Sequence, residues 1–246
     1  MFKNVEELTL HAWPSLQTMT LDGWLLRFAN GCTKRANSIS PLYEGKENVK
    51  EKIEECEAIY KENGLATIFK ITPFTHPANL DALLEERHYV IHERSSVKIR
   101  GLNHVEKPSN DSVSIDAELT NRWLELFSRF SSLDDQQSRD QERIIRNILS
   151  KKAFFILYQH EIPVACGFGV VTRGYFGLYH IVTEEKYRNQ GYGKQLILNM
   201  LSWARDQGIA TCYLQVVKHN IPAINMYQRL GFQEIYEYWY RIKKND

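Results

Sequence analysis

The sequence predicts an α/β (α+β) protein: a mixed, mostly antiparallel sheet flanked by helices, with a second, smaller domain of similar pattern at the N-terminus. Three observations carry this expectation. Short runs rich in β-branched and aromatic residues alternate with amphipathic helical segments through residues 112–246. A glycine-bearing junction, Arg188-Asn189-Gln190-Gly191-Tyr192-Gly193, joins a strand to a helix. The order of segments near the end of the chain recurs in the N-terminal half, as in a duplicated architecture.

In the N-terminal half, residues 23–27 and 33–38 read as a hairpin. An amphipathic helix over 49–63 leads into Gly64-Leu65-Ala66-Thr67-Ile68-Phe69, which aligns with Gly208-Ile209-Ala210-Thr211-Cys212-Tyr213. A helical segment then ends near Tyr89, and 90–99 reads as a strand. Residues 103–112, with Lys107-Pro108-Ser109-Asn110-Asp111, form the best linker, dividing the chain into 1–105 and 112–246.

The C-terminal half opens with a short strand at 113–115. A helix over 118–130 places Trp123, Leu126 and Phe127 on one face, and a second over 136–149 carries Ile144, Ile145, Ile148 and Leu149. Strands at 153–158 and 164–171 flank the turn Gln159-His160-Glu161. A strand at 175–183 enters the glycine junction. The helix that follows, 194–207, has Leu196, Ile197, Met200, Leu201 and Ala204 on one stripe. After a buried strand at 211–217, Asn220 is a good helix N-cap, Pro222 is tolerated in the first turn and Gly231 is a helix stop. An aromatic strand at 233–242 ends the pattern.

Composition narrows the function. The chain has 246 residues, 43% hydrophobic and 25% charged, with a net charge of +1. That is a globular protein with a real core and no electrostatic footprint for nucleic acid. No apolar run is long enough to span a bilayer, so no membrane partner is expected, and the N-terminus lacks a signal-peptide core. Cys32, Cys56, Cys166 and Cys212 are far apart and read as thiols in a reducing cytoplasm. No Cys/His cluster argues for a metal. The sequence does not set an oligomeric state.

Glycines at a strand-to-helix junction bring the backbone close to a ligand and leave N–H groups free, while the helix N-terminus adds partial positive charge. Such a place suits a phosphate or pyrophosphate, and Arg188 adds a full charge. The spacing fails the dinucleotide fingerprint, because Gln195 and Leu196 stand where a third glycine is needed, and it fails the P-loop, because Gln195 follows Gly193-Lys194.

Taken together, Arg188-x-x-Gly191-x-Gly193, Val216-x-x-x-Asn220-x-x-Ala223-x-x-Met226-Tyr227 and Leu230-Gly231-Phe232 resemble the GNAT superfamily of acyl-CoA-dependent N-acyltransferases. The resemblance covers residues 112–246 and implies a GNAT fold, no metal, and acetyl-CoA (coenzyme A) as co-substrate. It implies that the amides of Asn189, Gln190, Gly191, Tyr192, Gly193 and Lys194 hold the pyrophosphate beside Arg188. Ile181, Val182 and Thr183 would pair with the pantetheine, the Val182 N–H serving as oxyanion donor. Losing one such donor costs roughly 3–4 kcal/mol in the transition state.

Tyr227 is the candidate general acid, although its spacing with Ala223, Ile224 and Leu230 also suits a core residue. A phenol with a pKa of about 10 is a reluctant proton donor to a thiolate whose conjugate acid lies at about 8.5. His180, on the cofactor strand, is the candidate base, direct or through water, or else a structural histidine. Asn220 caps its helix and lies near the pantetheine in the resemblance; Asn225 contacts the cofactor or is a solvated helix residue. The helices over 118–130 and 136–149 would border the acceptor cleft. Asp134 and Asp135 attract a cation or, the favoured reading, cap the second of these.

The first half departs from the pattern. Glu44, Glu47 and Val49 occupy the positions of Arg188, Gly191 and Gly193, and Leu84 that of Tyr227. It reads as a degenerate GNAT-like unit without its own cofactor, its hairpin similar to those of tandem GNAT proteins. The expected function is N-acetyl transfer from acetyl-CoA to a primary amine of a small-molecule or peptide acceptor by direct attack. Alternatives are a non-catalytic acyl-CoA-binding regulatory module, or transfer of a longer acyl group or to a protein N-terminus.

Overall fold

The computed structural model describes residues 2–243. The first half contains α1 (Lys3–Ala12), β1 (Gln17–Leu21), β2 (Trp24–Phe28), β3 (Ile39–Ser40), α2 (Val49–Glu62), β4 (Thr67–Ile71), α3 (Leu80–Glu86) and β5 (Val90–Gly101). The second contains β6 (Val113–Asp116), α4 (Asn121–Phe130), α5 (Asp135–Arg146), β7 (Lys151–Gln159), β8 (Ile162–Thr172), β9 (Tyr175–Thr183), α6 (Tyr192–Asp206), β10 (Thr211–Val217), α7 (Ile221–Arg229) and β11 (Gln233–Lys243).

Among the described residues the strands form one mixed sheet of eleven, ordered β1-β2-β3-β4-β11-β5-β10-β9-β8-β7-β6. Only β3–β4 and β9–β10 are parallel. The last strand of each half is exchanged. β11 pairs with β4 of the first half, and β5 pairs with β10 of the second. The two exchanged strands also pair with each other across two register shifts. A one-residue slip would turn a strand's apolar side outward; each shift here is a one-residue bulge, the first on β11 and the second on β5, and Tyr236, Tyr238 and Tyr240 are all buried.

Strand alternation sorts the core by face. Phe154, Ile156, Phe168 and Val170 pack with α1, α4 and α5 on one face. Phe155, Leu157, Phe176 and Leu178 pack with α6 and α7 on the other. The helices α2 and α3 cover Phe69 and Ile71 of the first half.

Three of these elements differ from the sequence reading. The strand at Trp24 pairs with β1 rather than with 33–38, because Asp22-Gly23, both at positive φ (36° and 85°), make the two-residue turn between them. Residues 33–38 are mostly turn. The second helix stops at Arg146, leaving Leu149 fully exposed. The amphipathic α1 had no counterpart in the sequence reading. The Asp134 cap is present as a capping box with Gln137. Among the described residues no helix is long and apolar enough to cross a membrane, and no group of three or more His, Cys, Asp or Glu side chains could hold a metal.

A buried ion pair ties α1 to the exchanged strand. The fully buried Glu6 carboxylate accepts from Lys70 Nζ on β4 and, at 2.7 Å, from Tyr236 Oη on β11. Lys70→Met strands a buried carboxylate and is expected to cost about 3–5 kcal/mol in denaturant unfolding. Glu6→Gln added to it restores most of that loss; a single variant as stable as wild type would show that the pair is not a fastening.

Candidate active site

Parallel pairing between β9 and β10 covers four positions, from Thr211↔Tyr175 to Leu214↔Leu178, and then stops. On its other edge β9 bulges: Phe168 pairs with Tyr179 and Cys166 with Val182, so His180 and Ile181 stand opposite Gly167 alone. His180 takes the extra residue at φ 51°. Trp123 Nε1 fixes the bulge by donating to the carbonyls of Phe155 and Gly167, each at 3.2 Å. Where the strands part, Tyr179 Oη and Tyr213 Oη share a 3.0 Å hydrogen bond. Ile181, Val182 and Thr183, all half-buried, therefore lie along an edge with no strand partner on the β10 side.

The glycine junction meets this edge. Asn189 and Gly191 are left-handed at φ 61° and 87°, and Gly191 is the N-cap of α6 with no side chain capping it. Among the described residues the amides of 189–194 have no protein acceptor; the first helical bond runs from Gln195 N to Gly191 O, at 3.1 Å. A Cβ on Gly191 would meet nothing within 4 Å, so the space before the helix is open. A Cβ on Gly193 would sit 3.4 Å from Thr183 Oγ1 and 3.6 Å from Met226 Sδ, so the helix start, the end of β9 and α7 converge there. Arg188 Nε donates to Thr183 O at 3.3 Å, and Lys194 pairs with Glu106 at 2.9 Å.

The equivalent place in the first half is filled from within. The Asp22 carboxylate accepts from the amides of Lys46 and Glu47, both at 2.9 Å, and from Lys52 Nζ at 2.8 Å. The bond from Lys52 and the two amides hold its pKa down to about 2. Asn48 caps α2 by accepting from Lys50 N. A carboxylate of the protein thus stands where an incoming phosphate would need those amides.

The two candidate catalytic side chains lie on opposite faces. Tyr227, buried on α7, packs in the core shared by α6 and α7, its ring 5.7 Å from Phe232. Burial, and secondarily Cys212, push its pKa up, so it stays protonated. The bulge turns His180 to the α1 side, where its ring lies 4.7 Å from Trp13, 4.4 Å from Phe127 and 5.5 Å from Phe168. Its Nε2 is buried and has no hydrogen-bond partner among the described residues. Burial first, then the charge of Arg35, lower its pKa well below 6.5, so it is neutral at pH 7. Asn220 caps α7, accepting from Ala223 N at 3.2 Å, and Asn225 is exposed.

A cavity of about 280 Å³ opens at the end of β10. It is lined by Thr33, Lys34 and Arg35 of the first half, Gln215 to Val217 of β10, and side chains of β5 and β11. Neither α4 nor α5 contributes to its wall, although α4 reaches His180 through Phe127.

A family model described as "Probable histone acetyltransferase Rv0428c C-terminal" matches residues 2–241. The chain belongs to the GNAT N-acetyltransferase family. The protein named "Uncharacterized N-acetyltransferase YobR" of Bacillus subtilis (strain 168) is 29% identical over 98% of both chains. A solved GCN5-related N-acetyltransferase from Kribbella flavida aligns over 100% of this chain and 96% of its own, with a TM-score of 0.74 at 12% identity. A tandem GNAT protein from the clavulanic acid biosynthesis pathway aligns over 99% and 89%, with a TM-score of 0.63 at 11% identity. These structures share the fold.

For a GNAT protein, the cavity wall supplied by the first half is what sequence reasoning missed. Arg35 carries no local motif and shares a wall with Tyr238 and Tyr240 of β11 only through strand exchange. The strict alternation of Tyr236, Tyr238 and Tyr240 was the available signal that one face of β11 covers something.

His180 has a depressed folded pKa, so the unfolded chain binds its proton first. Its contribution to stability is complete above pH 6.5 and is lost as pH falls below it. Between pH 6.5 and 5, wild type is expected to lose stability faster than His180→Asn, by up to about 1.4 kcal/mol per pH unit. Asparagine tolerates the left-handed backbone. Parallel unfolding curves across that range would show that the imidazole is not held neutral.

Proposed function

We propose that this GNAT protein transfers an acetyl group from acetyl-CoA to a primary amine by direct attack within the parted strands. The observation that carries the proposal is the convergence of three features at Gly193: uncapped amides at the start of α6, an unpaired strand edge ending at Thr183, and α7 bearing Tyr227. The unit at 112–246 does the chemistry, and the unit at 1–105, whose equivalent amides are taken by Asp22, binds no cofactor.

In this reading the amides of 189–194 and Arg188 grip the pyrophosphate, and the free edge of β9 extends along the pantetheine as a strand would. The Val182 N–H donates to the thioester carbonyl oxygen as the amine nitrogen bonds to carbon. As the carbon–sulfur bond breaks, Tyr227 Oη donates a hydrogen bond to the sulfur. Its raised pKa makes it a stabiliser of the thiolate more than a source of a full proton. His180, neutral and with Nε2 free, takes the amine proton through water, since its ring does not reach the cavity wall. The nearby Arg35 charge also favours the neutral, nucleophilic form of the amine.

Calorimetry with acetyl-CoA and thiol release with an amine panel test the two halves of this proposal. Tight binding and amine-dependent thiol are expected; binding without transfer to any amine would favour a non-catalytic module. Tyr227→Phe is expected to lower kcat about a hundredfold with little change in the acetyl-CoA Kd. An unchanged kcat removes Tyr227 from the reaction. Gly191→Val forces a β-branched residue into a left-handed backbone and is expected to weaken acetyl-CoA binding at least tenfold, roughly 1.4 kcal/mol or more. Equal affinity would mean that the loop does not hold the diphosphate.

A further inference from the structure

From the cavity beside β10 we infer that the acceptor carries an oxyanion as well as its amine, and that Arg35 recognises it. The inference deepens the proposed transfer reaction, on which it rests, by naming the acceptor class: a small amine bearing a carboxylate, such as a free amino acid, or a phosphate.

The donors and acceptors around the cavity are unequal. Tyr240 is buried, and among the described residues its Oη makes no well-formed hydrogen bond, interacting only with the hydroxyl of Tyr238. Its pKa is held well above 10, chiefly by burial, so the hydroxyl keeps its proton to donate. Gln215 has a buried Nε2 with no partner among the described residues, while its Oε1 is already engaged by Tyr238 Oη at 3.4 Å. Among the described residues Arg35 has no carboxylate within ion-pair distance; its guanidinium lies over the Trp13 ring at 5.7 Å. The carboxylate on the wall, Glu93, is paired with Lys34 at 3.0 Å. Two charges therefore cancel, and Arg35 is left as the surplus.

A buried donor without an acceptor is costly, and Gln215 and Tyr240 set such donors just behind a wall that carries an unpaired arginine, so the lining favours a ligand with oxygen acceptors. An arginine fork matches a carboxylate or phosphate. The cavity is of small-molecule size and lies on the His180 face, opposite Tyr227. An amine seated there approaches the thioester from the side away from the phenol, with its anion against Arg35. The first half thus supplies the specificity element in place of a second cofactor site.

The experiment compares L-amino acids, their decarboxylated amines and phosphoethanolamine, by thiol release with acetyl-CoA and by calorimetric binding to the protein saturated with coenzyme A. Wild type is expected to prefer the anionic amines, and the carboxylate and phosphate arms identify the oxyanion. Arg35→Gln is expected to collapse that preference roughly tenfold to a hundredfold, seen in KM more than in kcat, with Arg35→Lys recovering part of it. Acetyl-CoA affinity, measured on the same variants, reports that they are folded.

Transfer to amines with no preference for the anionic members, or with a preference that Arg35→Gln leaves intact, overturns the inference while the transfer reaction stands. Binding of the anionic amines that depends on Arg35, without any thiol release, supports the oxyanion site and counts against transfer. No binding and no turnover of any anionic amine overturns the inference.

Discussion

Pairing between β9 and β10 ends at Leu178 and Leu214 because β9 carries more backbone than its other neighbour can match. His180 and Ile181 stand opposite Gly167, and the extra residue bends β9 away from β10. Trp123 keeps the bulge in place by donating to the carbonyls of Phe155 and Gly167 beside it. A flat pair of strands would hydrogen-bond to each other along their whole length. The parted pair leaves one edge of backbone unpaired, between the Tyr227 face of the sheet and the His180 face.

The strand exchange sets what surrounds that opening. With β5 beside β10 and β11 beside β4, the second half is walled by the first, and the sheet is continuous through both. The Glu6, Lys70 and Tyr236 network joins a helix and a strand of the first half to the last strand of the second. A change in the first half can therefore alter the cavity with no effect on the glycine junction. The Asp22 carboxylate satisfies the loop amides of the first half from within, whereas among the described residues those of 189–194 are open.

Much of this was legible in the sequence wherever local chemistry decides the structure. The helix caps at Asn220 and Asp134, the start of α6 at the glycine junction, and every strand of the second half follow from turn residues and periodicity. The bulge was not legible, because a strand with one extra residue reads like any other apolar run. Nor was the side of the sheet that His180 faces, since simple alternation sends it to the α6 side and the left-handed φ reverses that. The hairpin of the first half was misplaced because Asp22-Gly23 was not weighed as a turn. The cavity wall lay out of reach, since Arg35 and Tyr240 stand in opposite halves of the chain and only the exchanged sheet unites them. The helices expected to border the acceptor contribute Phe127 to the His180 cage instead.

Amide hydrogen exchange with and without acetyl-CoA tests the central claim most directly, because it reads the backbone groups that the account assigns to the ligand. Slowed exchange is predicted at 179–183 and 190–194 together, with no change at 44–49. Protection confined to 44–49, or absent from both β9 and the start of α6 at saturating ligand, would contradict it.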